Sequence, residues 1–160
     1  MARLAKMLFV ASVLASGCDL AGETMGPRGG TVVSEDGRFS LEIAAGALDH
    51  DVEITIAAVS CGAMEQTAVG ACYEVGPRGT AFLFPAKVTF ELDADSVAGV
   101  TADHLALSGR REHGWDLLAD RAVDLEDGTV SASALYLSSF ALVAVEDPHQ
   151  GPATREPAGE

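Results

Sequence analysis

Apolar and polar residues alternate along much of this chain with a period of two, the spacing that sends one set to a buried sheet face and the other to water. Phe39, Leu41 and Ile43 alternate with Arg38, Ser40 and Glu42; Val52, Ile54 and Ile56 with Glu53 and Thr55; Val88, Phe90 and Leu92 with Lys87, Thr89 and Glu91. Further strands are predicted over Thr31–Ser34, Ala71–Gly76, His104–Arg110, Trp115–Ala119, Ala122–Leu125, Val130–Leu135 and Ser139–Glu146. The last run is apolar on both faces, as a strand in the middle of a sheet would be. Asp36-Gly37 and Asp127-Gly128 fall between strand patterns, where glycine's access to positive φ suits a tight hairpin, and Glu112-His113-Gly114 offers a similar turn. No long stretch repeats at helical spacing, and Leu48 to Asp51 reads as a turn. Many short strands broken at such intervals predict an all-β fold, a sandwich or barrel.

The two ends break this pattern. Residues 1–17 carry a basic start (Arg3, Lys6), an apolar run from Met7 to Ala15 and small residues before Cys18. This is the layout of an export signal, and the run is too short for the roughly 20 residues of a membrane-spanning helix. Leu14-Ala15-Ser16-Gly17-Cys18 resembles the lipobox of bacterial lipoprotein precursors, with Ala15 where a larger aliphatic residue is more typical. The resemblance implies cleavage before Cys18 and a diacylglyceryl thioether on its sulfur. It thus implies a lipid-mediated membrane attachment in a bacterial cell envelope, with the outer membrane or cell surface favoured over the inner membrane. Residues 18–25 read as a short polar tether, residues 26–146 as the domain, and residues 147–160, with Pro148, Pro152 and Pro157 and no large apolar side chain, as a disordered tail without a core of its own.

With Cys18 assigned, Cys61 and Cys72 remain, and an even remainder in an exported chain suggests a disulfide. Two buried thiols, or half of a metal site, are the competing readings. The scatter of His50, His104, His113 and His149 argues against zinc spacing.

Two further blocks carry a family resemblance. Gly29-Gly30, then Leu41-Glu42-Ile43 leading into Ala45-Gly46-Ala47-Leu48, then Val52-Glu53-Ile54-Thr55-Ile56, resemble the start of the ZU-five domain, with Ala44 where a proline usually sits. Gly76-Pro77, Gly79, Phe82, Pro85, Val88 and Phe90 extend the match, with Pro85 expected at a strand entrance. The resemblance implies an antiparallel β-sandwich from Gly26 to about Glu146 that mediates protein contacts and brings no enzymatic chemistry. Some relatives cleave themselves at His-Phe-Ser; Tyr136-Leu137-Ser138 stands in the corresponding place here, and the missing histidine and phenylalanine imply that this chain does not.

Charge narrows the partners. The formal charge is −14, and removing Arg3 and Lys6 with the leader takes it to −16, so no basic stripe exists to displace counterions from nucleic acid. No Gly-x-Ser-x-Gly elbow or glycine-rich phosphate cradle is present, and neither a catalytic residue, a cofactor nor a metal site is expected. The expectation is a noncatalytic, lipid-anchored envelope module whose partner is another envelope or surface protein. The alternative is a calcium- or carbohydrate-binding envelope domain. Asp93, Asp95 and Ser96 in one loop and Asp49 and Asp51 in another would supply oxygen ligands, although the spacing matches no EF-hand. Trp115 would supply a stacking ring, although a lone tryptophan more often joins a core.

Overall fold

The computed structural model describes residues 22–95 and 97–146. The leader, Cys18, most of the tether and the tail therefore lie outside the described residues, as does Ser96. The described residues form eleven strands: β1 (Glu23–Met25), β2 (Gly30–Val33), β3 (Phe39–Ile43), β4 (Val52–Val59), β5 (Thr67–Gly76), β6 (Ala81–Glu91), β7 (Leu105–Arg111), β8 (Gly114–Leu117), β9 (Ala122–Asp124), β10 (Thr129–Tyr136) and β11 (Ser139–Ala144). A short 3₁₀ turn, Ala102–His104, precedes β7. All pairings are antiparallel, in a six-stranded sheet ordered β1-β4-β5-β11-β7-β8 and a five-stranded sheet ordered β2-β3-β6-β10-β9. The two sheets pack as a sandwich.

The alternating residues meet between the sheets. Phe39, Leu41 and Ile43 of β3 and Ala86, Val88 and Phe90 of β6 face Ile54 of β4, Tyr73 and Val75 of β5, and Phe140 and Leu142 of β11 in one core. Its centre is aromatic. Phe39 stacks on Tyr73 at 5.0 Å between centroids and on Phe140 at 5.9 Å, and meets Phe90 edge-on at 5.1 Å. Each sheet supplies two of these rings, so the quartet holds the layers together as well as filling space.

β11 lies between β5 and β7, where its two apolar faces are both required. Its inner face joins the main core. Its outer face, with Ala141 and Val143, joins Cys72 and Ala106 in a second buried cluster, covered by Cys61, Met64, Trp115, Leu117 and Val145. A sheet in a two-layer fold has one face without a partner sheet, and here loop 60–66 takes that place.

Three features differ from the sequence reading. The tether ends before Met25, because Glu23–Met25 pairs with β4 and Met25 is buried in the main core. Pro85 lies inside β6, not at its start. The β6–β10 register jumps between Ala86↔Ala134 and Ala81↔Tyr136, so the proline occupies a bulge where a missing donor breaks no ladder. β5 begins at Thr67, four residues before the predicted strand, because the β5–β11 register is also irregular and blurs the alternation there.

The registers sort the loops by end. Loops 34–38, 60–66, 92–104 and 125–128 gather at one end with the finish of β11, whereas loop 118–121 crosses between the sheets at mid-height and β1 lies beside the start of β4, near the other end. Loops 26–29, 44–51, 77–80, 112–113 and 137–138 gather at the opposite, distal end.

Candidate functional site

Cys61 and Cys72 form a disulfide, with 5.0 Å between their Cα atoms, which resolves the alternatives left open by the count. Cys72 is fully buried in β5 and Cys61 is half-exposed, so the bridge fixes loop 60–66 onto the outer cluster. A shallow cleft of about 460 Å³ beside the bridge is lined by Ala58, Val59, Ser60, Cys61, Gly70 and Ala71, with no ionisable side chain. Cys18, the expected lipidation site, falls outside the described residues.

The candidate oxygen ligands are spoken for or apart. Asp93 pairs with Arg38 at 3.1 Å, Asp49 bonds to the neighbouring His50 ring, and among the described residues no group of three or more metal-binding side chains converges. His104 Nδ1 bonds to the Val145 carbonyl at 2.7 Å and so holds the 3₁₀ turn to the end of β11. Trp115 is half-buried in the outer cluster with the Arg110 guanidinium 6.0 Å from its ring centroid. Ser138 donates to the Arg110 carbonyl, a strand-end contact rather than a nucleophile's arrangement.

The best-organised polar cluster links the two sheets. In the β2–β3 hairpin, Gly37 takes φ 72°, which a side chain would resist, and the tight turn brings Asp36 back over Ser34. Ser34 Oγ donates to Asp36 Oδ1 at 2.6 Å and accepts from Phe39 N at 3.0 Å, while Tyr73 Oη, from β5 in the other sheet, donates to Asp36 Oδ2 at 2.6 Å. Burial pushes the Asp36 carboxyl up, but the bonds from Ser34, Tyr73 and the Arg38 amide outweigh it and hold it below its ordinary value. Burial, then the bond to Asp36, pushes the Tyr73 phenol well above its ordinary value.

The signs give opposite pH dependences. The unfolded chain ionises tyrosine near pH 10 while the folded protein keeps Tyr73 neutral, so stability falls as pH rises above about 10. Asp36 binds protons more weakly when folded, so its contribution is present above about pH 4 and fades as pH falls through its lowered folded value. Tyr73→Phe should therefore flatten the alkaline limb of a melting-temperature profile. A steep limb surviving in Tyr73→Phe would disprove the assignment.

Sequence reading missed one surface. The bulge in β6 turns Leu83 and Phe84 outward together, and Pro85 after them is exposed as well, where strict alternation would bury every second residue. Leu83 is 67% and Phe84 58% exposed, and Leu135 of the paired strand β10 is 57% exposed. The bulge is held open at its base, where Leu83 N bonds to Ala47 O at 2.9 Å. Gly46 beside it has φ 82° and faces the Phe84 ring, so the 44–51 loop turns beneath that ring. Pro85 was the only sequence signal, since a proline inside a strand marks an edge or a bulge.

The ends of the sandwich differ in charge. Glu35, Asp36, Glu65, Asp93, Asp95, Asp103, Glu126 and Asp127 lie in the loops of the end where β11 finishes, against Arg38. The distal loops hold Arg28 and Arg78 against Asp49, Asp51 and Glu112. The bulge opens on this distal, nearly balanced half. Comparison with known proteins found no matching family model and no matching curated protein.

Proposed function

We propose that this is a lipid-anchored, noncatalytic module of a bacterial cell envelope, a ZU-five-like sandwich that binds or braces another envelope or surface protein. The observation that carries the reading is the bridge between Cys61 and Cys72. It accounts for two of the three cysteines and leaves Cys18, behind a leader-like segment, for thioether formation. A bridge of this kind also fits an oxidising compartment outside the cytosol.

Anchoring then has a geometry. Residues 19–22 separate Cys18 from β1, and four extended residues span at most about 14 Å. Glu23 stands opposite Ile54, two residues from the start of β4, so the anchor is tied to the sandwich on its distal half. Two or three acyl chains make such attachment stable, whereas one would hold it only marginally. The calcium- or carbohydrate-binding alternative has less support, because Asp93 is engaged by Arg38 and Trp115 is half-buried.

The test is metabolic labelling with an alkyne fatty acid followed by intact-mass measurement. The wild-type chain should lose residues 1–17, gain the mass of a diacylglyceryl group and pellet with membranes. Cys18→Ser should lose the label and most of the pelleted fraction. An unlabelled wild-type chain in the soluble cytosolic fraction would overturn the proposal.

A further inference from the structure

We propose that the outward bulge of β6, with Leu83, Phe84 and Pro85, forms together with Leu135 a docking surface for an extended apolar and acidic segment of a partner protein. This inference deepens the proposed binding function and rests on it, but not on the lipid at Cys18.

Three consecutive exposed apolar residues inside a strand are costly in water and invite aggregation unless something covers them. Nothing about the fold requires them to be apolar, since the main core is closed by Phe82 and Ala86 on either side. The bulge is fixed from below by the Leu83–Ala47 hydrogen bond, so the side chains are presented in a set arrangement.

Size and charge select the occupant. A few side chains offer far less than the roughly 800 Å² per partner of a standard protein interface, so a short segment fits better than a folded second copy. Lys87 is the next outward position after Pro85, opposite Ser133, whose next outward neighbour on β10 is Leu135. Arg28 sits in the turn whose Pro27 carbonyl accepts from Gly46 N at 2.8 Å, next to the Phe84 ring. Neither cation makes an ion pair among the described residues, although Glu42 stands across from Lys87 in the register. The acidic end begins after Glu91, about 14 Å from Lys87 and about 27 Å from Leu83 at strand rise, beyond one Debye length at physiological salt. Local charge therefore decides, and Arg28 and Lys87 call for carboxylates beside the apolar contacts.

The test uses the full chain in discs of zwitterionic lipid and two fluorescent probes, the peptides Glu-Leu-Glu-Phe-Glu-Leu-Glu and Lys-Leu-Lys-Phe-Lys-Leu-Lys. Anisotropy should show saturable binding of the acidic peptide at least tenfold tighter than of the basic one. Phe84→Ser and Lys87→Glu should each weaken it tenfold or more, with Leu125→Ser, an exposed change at the opposite end, leaving it unaltered. Unchanged melting temperatures would show that the variants stay folded. The proposal is overturned by equal affinity for both peptides, by no saturable binding, or by binding that survives both substitutions. It is equally overturned if the bulge instead drives Phe84-dependent attachment to vesicles of anionic phospholipid. Any of these results, with the fatty-acid label on Cys18 intact, would remove the docking surface and leave the anchoring untouched.

Discussion

Phe39→Ala is expected to destabilise the domain by about 4 kcal/mol, as large a loss as truncating one core side chain usually brings. Phe39 is fully buried and touches one ring from its own sheet and two from the other. Truncation removes its transfer energy and leaves a hole that Tyr73, Phe90 and Phe140 cannot close, because each is held in a strand register on its own side. Total stabilities of about 5–15 kcal/mol are usual, so the loss is a large fraction of what holds the domain folded. Denaturant titration should show a lowered midpoint with an unchanged slope, and Leu135→Ala, at an exposed position, should shift it by less than about 0.5 kcal/mol. A Phe39→Ala midpoint within that range of wild type would mean the aromatic quartet is not the centre of the core.

Breaking the disulfide should come second. Cys61 and Cys72 are 11 positions apart, and closing a loop of that size constrains the unfolded chain by roughly 3 kcal/mol on the loop-entropy model. The paired replacement Cys61→Ala with Cys72→Ala should lower the melting temperature by roughly 10 °C. It should also have a local signature. Loop 60–66 covers Ala106, Ala141 and Val143, so its amides, and those of β11 beneath, should exchange faster with deuterium. Unchanged exchange in that loop would show that packing by Met64 and Trp115, not the bridge, keeps the outer cluster covered.

Much of the architecture was written in the alternation. β3 buries its whole predicted set, and β4 and the later part of β6 bury Val52, Ile54, Val88 and Phe90 with Ile56 and Leu92 partly covered, because one face of a strand in a sandwich must be apolar. β11 announced its central place by being apolar on both faces. β1 was silent, since three residues are too few to show a period and become a strand only by pairing with β4. The Tyr73–Asp36 bond was equally invisible, because it joins residues 37 positions apart whose meeting depends on how the sheets stack. The bulge hid for a related reason. Leu83 and Phe84 as neighbours imply opposite faces, and only the register slip against β10 puts both in water. Cysteine arithmetic, by contrast, pointed to the bridge, because pairing needs a count more than a geometry.

The placement of β1 and β11 has one further implication. The chain joins the sandwich at Glu23, opposite Ile54 near the distal end, and leaves after Ala144, opposite Thr67, at the other end. A body whose two joints sit at opposite poles behaves as a spacer in series. Rejoining it head to tail would need a bridge of about ten extended residues along the sheet, so it suits an end-to-end arrangement better than insertion into a host's surface loop.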